Sequence, residues 1–349
     1  MRALIYSIGL MLLFSVSLKA EKIEKVKKSQ QVYENVKNGS FYFSNKYGNL
    51  ILANWDKDEI SITSEIIVRA KTEELAEKYL SEIESLIGKN GDSVYAVTQF
   101  AKSFEVDKKF ELEIKYVVKA PASMSYNLNN KYGDIAIAKI TGPCEINLKY
   151  GNLLAKNLLF NKSQRLCEIE MAYSNAQIEY CNYADIELKY GKLKFGNGKS
   201  IELEAKYADV NVNFIEFLKF EGKYGGLDVD SIYYADIEAQ YMNVDIDYLR
   251  TKLIAESKYG NFDVKYIEPD FELIEIESSF GNVDLNIHPD AVYTIDADID
   301  FGNVKLPSKV NVDRIKNNSD EEVKGIVGSS NKSPTGVVKV EINFGNLKL

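Results

Sequence analysis

Histidine, cysteine and proline are scarce in this sequence. Its 349 residues include one histidine, three cysteines and six prolines. A zinc site built on two histidines is therefore excluded, and neither a glycine-rich phosphate loop nor a serine elbow is visible. His288 stands beside Pro289, where we expect an exposed turn residue rather than a catalytic base. The sequence accordingly predicts no catalytic residue and no organic cofactor.

An excess of positive charge is also missing. The chain has 43 lysines and arginines against 52 acidic residues, and a formal net charge of −9. Such a balance argues against nucleic acid and anionic lipid as partners.

Long apolar runs are confined to the start of the chain. Arg2 precedes the mostly apolar stretch Ala3–Leu18, and Ala20 suits the position before a cleavage site. Residues 1–20 are therefore predicted to be a secretory signal peptide. Because this segment carries Arg2, Lys19 and no acidic residue, its removal would change the net charge of the mature chain to about −11. No later stretch is apolar enough for a transmembrane segment. We expect an exported protein that is periplasmic, on the outer surface or secreted.

A short phrase recurs along most of the chain: a lysine or polar residue, an aromatic, a small residue and a turn-former. Lys189-Tyr190-Gly191 and Lys258-Tyr259-Gly260 are early forms, and Phe280-Gly281-Asn282 is a later one. The aromatic anchors fall at positions 132, 150, 173, 190, 207, 224, 241, 259, 280, 301 and 344, with an earlier copy at Tyr47. A fixed period of this length is typical of a repeat architecture.

Each repeat reads as two short strands joined by a corner. Before Tyr207, Ile201, Leu203 and Ala205 alternate with polar residues, and after it the apolar positions are Val210 and Val212. Alternation indicates a strand with one buried face, and the change of parity across the aromatic indicates a corner. Glycine and asparagine or aspartate after the ring suit positive φ or tight-turn geometry.

These repeats predict an all-β fold, a parallel β-solenoid in which each rung buries its apolar face against its neighbours. Like side chains then stack in aromatic, aliphatic and Asn/Asp columns. The coil is expected to be right-handed, by the rule for parallel crossovers. The alternative is a sandwich of hairpins, which would not keep one aromatic in phase over so many copies.

The domain boundaries follow from interruptions of the repeat. Residues 21–55 form the first rung or rungs, 56–120 a strand–helix–strand insertion that caps the N-terminal end, and 121–349 the solenoid. The insertion contains a predicted helix over Thr72–Ile87, ended by Gly88. Pro307–Pro334 is expected to be a surface loop that replaces part of one rung, and Val337–Leu349 a last rung.

The cysteines raise the question of a disulfide. Cys144 and Cys167 share one position of the repeat and should be stacked neighbours, whereas Cys181 does not. Rung spacing suits a disulfide, but parallel in-register side chains point the wrong way for an easy bridge. We expect buried free thiols, with a Cys144–Cys167 disulfide as the alternative.

Carboxylates also recur in phase, three positions before the ring. The column includes Glu187, Glu204, Glu221, Glu238 and Glu256. We expect a solvated face whose repulsion is offset by a neighbouring lysine column. The alternative is a bound divalent cation such as calcium, which takes oxygen ligands. A second column, Asp228, Asp245, Asp263 and Asp284, adds solubility or an acidic surface for a basic partner.

One stretch resembles a known family. The strand Phe110–Lys115, the step Ala120-Pro121 and the turn Asn130-Lys131-Tyr132-Gly133-Asp134 are followed by repeated Lys-Tyr-Gly-Asn turns. This arrangement resembles the putative adhesin family of exported bacterial proteins, a β-solenoid domain of unknown function, from about Phe41 to Leu349. The resemblance implies a parallel β-solenoid outside the cytoplasm and supplies no catalytic residues.

Together these features predict a structural or adhesin-like binding module of the cell envelope. Its flat ladder faces would meet an envelope protein or a glycan, without catalysis. The alternative is a carbohydrate-active enzyme, since parallel β-helices can carry paired acids. Acids that recur in nearly every rung do not single out a catalytic pair.

Overall fold

The computed structural model describes residues 22–160, 167–308, 310–329 and 332–349. The predicted signal peptide lies outside these residues. The described chain contains one helix, α1 (Glu73–Ser81), and the following strands: β1 (Ile23–Glu34), β2 (Ser40–Lys46), β3 (Gly48–Asn54), β4 (Glu59–Ala70), β5 (Ile83–Asn90), β6 (Ser93–Phe100), β7 (Phe110–Ala120), β8 (Ser125–Lys131), β9 (Ile135–Ile140), β10 (Cys144–Lys149), β11 (Asn152–Leu158), β12 (Cys167–Ala172), β13 (Asn175–Lys258), β14 (Phe262–Ile267), β15 (Leu273–Ser279), β16 (Val283–Ile287), β17 (Tyr293–Asp300), β18 (Val304–Lys305), β19 (Val310–Asn317), β20 (Asp320–Val327), β21 (Gly336–Asn343) and β22 (Leu347–Lys348).

Each rung contributes one strand before the aromatic corner and one after it, so two stacks of strands run along the molecule. In space the first stack is ordered β5-β6-β2-β8-β10-β12-β13-β15-β21-β17-β20-β19. The second is ordered β1-β4-β7-β3-β9-β11-β13-β14-β16-β22-β18. Strand β13 has no break and passes through four successive corners.

Successive rungs are parallel and in register, so like side chains lie over one another. Cys144 pairs with Cys167 and Ile146 with Ile169, and Glu256 pairs with Glu277. The predicted all-β, solenoid-like stack is confirmed; its right-handed sense stays a prediction.

The interior is lined by the predicted alternating positions. Around Tyr207, Leu203, Ala205, Val210 and Val212 are all at most 3% exposed. A further inward position, eight residues after the ring, was missed. It closes the second corner of the rung and is occupied by buried Cys181, Ile215, Ile232, Leu249 and Ile267.

Residues 59–120 extend both strand stacks beyond the first rung. Strands β4 and β7 continue the second stack and β6 continues the first, while α1 packs against β1 and β4. Thr72 is the helix N-cap, and its hydroxyl accepts a hydrogen bond from the Leu75 amide at 3.3 Å.

The predicted end of this helix is wrong. The helix stops at Ser81, and Ile83 and Ile87 lie in β5, which pairs antiparallel with β6. Gly91 has a φ of +58° and is the first of the two turn residues, Gly91-Asp92, between these strands, a position that favours glycine in two-residue hairpins. Hairpin pairing and burial of Ile83 therefore override the helical spacing of the apolar residues.

The surface loop predicted over Pro307–Pro334 is also wrong, whereas Val337–Leu349 does form a rung at the end of the chain. The Pro307–Pro334 segment contains the antiparallel hairpin β19–β20, which pairs with β17 and covers that end of the first stack. The chain's last rung is not the last in space, because β21 lies between β15 and β17. No rung has been replaced by a loop; the C-terminal segment has been inserted between two earlier rungs.

Positive φ at the corner is found at a different residue from the one predicted. The sequence suggested the glycine or the Asn/Asp after the ring, but the aromatic residue itself adopts it. The aromatic residues have φ values of 53–66°, whereas the following glycine does not supply this conformation at most corners. The glycine is needed for close approach instead. A Cβ on Gly260 would lie 1.9 Å from the Met242 carbonyl oxygen of the preceding rung.

We therefore expect Gly260→Ala to lower the free energy of unfolding by about 1–3 kcal/mol through overpacking. Gly226→Ala is the matched control, because a Cβ there meets nothing within 4 Å. Urea unfolding of both variants measures the difference. Equal stabilities would contradict the close approach as the reason for this glycine.

All three cysteines are buried free thiols. We expected this because parallel in-register side chains point the wrong way for an easy disulfide. Burial raises the pKa of the Cys181 thiol to about 12. Burial, and then a hydrogen bond with Cys144, raises the pKa of Cys167 as well.

A thiol reagent such as Ellman's reagent is expected to leave the native protein unmodified at neutral pH, since the thiolate is the reactive form. In denaturant without reductant, three equivalents should react. One equivalent in denaturant would instead indicate a disulfide between two of the cysteines.

Candidate binding surface

One row of aromatic side chains follows the first corner along the whole stack. In spatial order its members are Tyr47, Tyr132, Tyr150, Tyr173, Tyr190, Tyr207, Tyr224, Tyr241, Tyr259, Phe280, Phe344 and Phe301. We call this row the aromatic ladder. Neighbouring ring centroids lie 4.6–5.2 Å apart, and the ring planes differ by at most 16°.

The ladder is open to solvent along its length. Eleven of its rings, all except Tyr47, are 36–56% exposed. Phe100 covers the first ring, since its centroid lies 5.9 Å from that of Tyr47 in an edge-on contact. Ring faces are occupied by neighbouring rings, so the ladder presents ring edges and, over its nine tyrosines, a row of phenolic hydroxyls.

This arrangement costs backbone energy at every corner. A residue other than glycine in the left-handed region loses about 1–2 kcal/mol, and asparagine would fit that conformation more easily. Stacking of one aromatic pair returns about 0.5–1.5 kcal/mol. The stacking energy and the backbone cost nearly cancel. An asparagine would satisfy the backbone at each corner at least as well, so the backbone conformation does not explain why an exposed aromatic side chain is present.

Polar columns flank the ladder on both sides. On the side after the ring, the Asn/Asp column is tied from rung to rung: the Asn152 amide donates to Asp134 Oδ1 at 2.8 Å, and the Asn346 amide to Asn282 Oδ1 at 3.0 Å. On the side before the ring, a lysine precedes seven of the nine tyrosines. The ladder is therefore a straight amphipathic strip with fixed spacing.

Residues 176–349 match the family model described as Toastrack DUF4097. This part of the chain belongs to the Toastrack family. The aromatic ladder continues without a break from the Toastrack region into the rungs before it. No curated protein gave a significant match to the sequence.

Two solved structures were aligned with the chain. One is of a "putative cell adhesion protein" from Clostridium sporogenes, with 9% identity, a TM-score of 0.19, and coverage of 93% of this chain and 98% of that one. The other is of a "putative adhesin" from Bacteroides fragilis, with 10% identity, a TM-score of 0.25, and coverage of 92% and 96%.

The sequence-predicted carboxylate column begins outside the Toastrack region and runs through it beside the lysines. Glu187, Glu204 and Glu256 form ion pairs with the lysine two residues later on the same strand: Lys189, Lys206 and Lys258. Glu221 lies with Glu204 in a shallow groove that also contains Asp185, Glu202 and Lys219. Glu238 lies on the same face of β13.

Lysine pairing offsets part of the repulsion in this column, as the solvated-face interpretation requires. Within the described ranges, no three or more His, Cys, Asp or Glu side chains are grouped so that they could hold a metal ion. Calcium binding by Glu187, Glu204, Glu221, Glu238 and Glu256 stays a prediction, which a calcium titration of the melting temperature would test.

The second predicted acidic column lies on the outer face of the second strand stack. Asp245 pairs in register with Asp263, and Asp263 with Asp284. Partial burial, and then the carboxylates of Asp228 and Asp263, raises the pKa of Asp245. Lys348 forms an ion pair with Asp284, so this column too is partly neutralised.

His288 lies in a turn at the end of β16. Its Nδ1 accepts a hydrogen bond from the Asp290 amide at 3.2 Å, and its ring meets that of Tyr266 edge-on at 5.8 Å. The side chain thus stabilises the turn that connects two separated rungs.

Sequence reasoning missed a second aromatic cluster at the other corner. The Arg250 guanidinium lies 5.0 Å from the ring centroids of both Tyr233 and Tyr248, and Tyr248 stacks on Tyr266 at 4.8 Å. Tyr248 and Tyr266 both lie seven residues after the ladder ring of their rung, and Tyr233 lies nine after its ring. The shared phase of the first two was the signal that could have revealed the cluster.

No helix in the described part of the chain is long and apolar enough to cross a membrane.

The acidic face predicts an unusual pH dependence of stability. Desolvation, and then the nearby carboxylates of Glu202 and Glu168, raises the pKa of Asp185. A carboxyl whose folded-state pKa is raised stabilises the fold below its unfolded pKa, and this stabilisation is lost as pH rises through the folded value. Asp185→Asn should therefore raise the melting temperature at pH 7, and the gain should vanish near pH 4, close to the unfolded value.

Glu187→Gln is the matched control, two residues away on the same face. It removes the partner of Lys189 and should leave the melting temperature at pH 7 unchanged or slightly lower. Thermal unfolding followed by circular dichroism at several pH values measures both variants. A lower melting temperature for Asp185→Asn at pH 7 would show that this carboxylate is favourable in the fold.

Proposed function

We propose that this protein is an exported, non-catalytic, adhesin-like module of the cell envelope. Its aromatic ladder holds an extended glycan. The observation that carries the proposal is the unbroken ladder of twelve rings at 4.6–5.2 Å spacing, eleven of which are exposed to solvent. Export rests on the predicted signal peptide at residues 1–20.

An extended glycan suits the chemistry of this surface. Tyrosine combines an apolar ring with a hydroxyl and is favoured at contact surfaces because few torsions are lost on binding. A straight row of ring edges and hydroxyls repeats one weak contact many times, which suits a polymer that carries hydroxyls and apolar C–H edges in a repeat. Repeated contacts along one ligand raise overall affinity through effective concentration.

Catalysis of glycan cleavage is the alternative, and the carboxylate pattern does not favour it. A glycosidase needs two carboxyl groups at a defined separation around one bond. Here Glu187, Glu204 and Glu256 are equivalent by position and each has its own lysine partner, so no rung is set apart. An assay for reducing ends released from polysaccharides separates the two functions.

The ladder contains its own matched variant. Phe280, Phe344 and Phe301 stack at the same spacing as the tyrosines, so Tyr→Phe should remove a hydroxyl without disturbing the stack. The triple variant Tyr190→Phe, Tyr207→Phe, Tyr224→Phe should keep its melting temperature. It should bind polysaccharide about tenfold more weakly if each lost hydrogen bond contributes about 0.5 kcal/mol.

Titration calorimetry with dextran, which is neutral, and polygalacturonate, which is anionic, provides the measurement. The control triple is Tyr42→Phe, Tyr95→Phe, Tyr234→Phe, whose side chains are 37–41% exposed but lie off the ladder. An equal loss in the control would remove the ladder as the contact surface. Failure of the wild-type protein to bind either polymer would contradict the proposed function.

A further inference from the structure

The lysine column beside the ladder changes character along the molecule. In the central rungs the residue two before the lysine is a glutamate, and Lys189, Lys206 and Lys258 are ion-paired to it. In the first rungs the corresponding residues are Ser44, Asn129 and Asn147, which carry no charge.

The three lysines of the first rungs are therefore left without carboxylate partners among the described residues. They are Lys46, Lys131 and Lys149, which we call the free-lysine segment together with Tyr47, Tyr132 and Tyr150. Lys46 pairs in register with Lys131, and Lys131 with Lys149. Like charges placed opposite one another on neighbouring strands are destabilising, so three lysines stacked in register do not improve the stability of these rungs.

Two of these lysines are held against the ladder. Lys46 Nζ lies 4.6 Å from the Tyr47 ring centroid. Lys131 Nζ lies 4.9 Å from the centroid of Tyr132 and 5.8 Å from that of Tyr150. The positive charges and the ring edges thus form one surface that a single ligand can contact.

Two nearby acids accept hydrogen bonds from asparagine amides rather than from these lysines. Glu145 accepts hydrogen bonds from the side-chain amides of Asn127 at 2.7 Å and Asn147 at 3.0 Å. Asp134, on the opposite side of the ladder, accepts from both the backbone and the side-chain amide of Asn152. Glu170 of the next rung lies in register with Asn147. None of these carboxylates forms an ion pair with Lys46, Lys131 or Lys149 in the described residues, so the three ammonium groups are open to an anion from outside the chain.

We infer that the glycan held by the ladder is an anionic polysaccharide. Its carboxylate or phosphate groups are bound by Lys46, Lys131 and Lys149. This inference rests on the proposed function and specifies its ligand class: the lysines supply charge recognition at the N-terminal end of the ladder, and the remaining rungs supply the repeated neutral contacts.

The test compares two triple variants that remove the same charge from the same column. The first is Lys46→Gln, Lys131→Gln, Lys149→Gln, and the second is Lys189→Gln, Lys206→Gln, Lys258→Gln. Both are titrated by calorimetry with polygalacturonate, poly(glycerol phosphate) and dextran, using the full protein. Comparison of the two anionic polymers distinguishes carboxylate from phosphate as the recognised group.

The wild type is expected to prefer at least one anionic polymer over dextran. The first triple should weaken binding of that polymer about tenfold, as the loss of three exposed ion pairs predicts, and added salt should weaken the wild type in the same way. The second triple should change affinity less than twofold. Because the first triple removes stacked like charges, its melting temperature should not fall, so weaker binding would not reflect unfolding.

Several results would overturn the inference. Equal losses in the two triples would show that binding follows net charge rather than the free-lysine segment. Equal affinity for dextran and the anionic polymers, unchanged in the first triple, would make the ligand neutral and leave the proposed function standing. Tighter binding of oligo(dT) or anionic lipid vesicles through the same lysines would replace the polysaccharide as occupant. A wild-type protein that binds no polysaccharide fails the proposed function and the inference together.

Discussion

In-register parallel pairing between successive rungs is the constraint on which the rest of this structure depends. Backbone hydrogen bonds fix the spacing between neighbouring strands at about 4.8 Å, and registration places each residue over its equivalent in the next rung. The ladder, the Asn/Asp column and both acidic columns are consequences of this one arrangement. A slip of one residue would move every inward side chain to the outer face, so the surface is regular because the core requires register.

Regularity has a different cost at each column. For the aromatics the cost is backbone strain at a φ of 53–66°, which ring stacking largely offsets. For the carboxylates it is repulsion, which paired lysines reduce. The first three lysines form no ion pair among the described residues, and the residue two before each of them is uncharged. This difference distinguishes one end of the ladder from the central rungs.

The two ends of the stack are closed by segments that break the repeat. At the start, strands β1, β4 and β5 and helix α1 lie beyond the first rung. At the finish, the β19–β20 hairpin pairs with β17, and buried Glu321 joins Arg314 to the Val304 amide. Such covers prevent pairing of exposed strand edges with other chains. Insertion of β21 between β15 and β17 further ties the C-terminal segment into the stack.

The sequence by itself determined the all-β class, the phase of the rungs, the inward positions around each ring and the contact between Cys144 and Cys167, because these follow from a local pattern repeated at fixed spacing. It could not decide the order of the last rungs, since strands with equivalent patterns pair equally well and only the complete chain selects the partner. Nor could it separate the end of α1 from β5, because apolar residues at Ile83 and Ile87 suit both a helix face and a paired strand. Only the tertiary structure showed that Lys46 and Lys131 lie against rings of the ladder, because Lys131 also meets Tyr150, which stacking brings over it from the next rung.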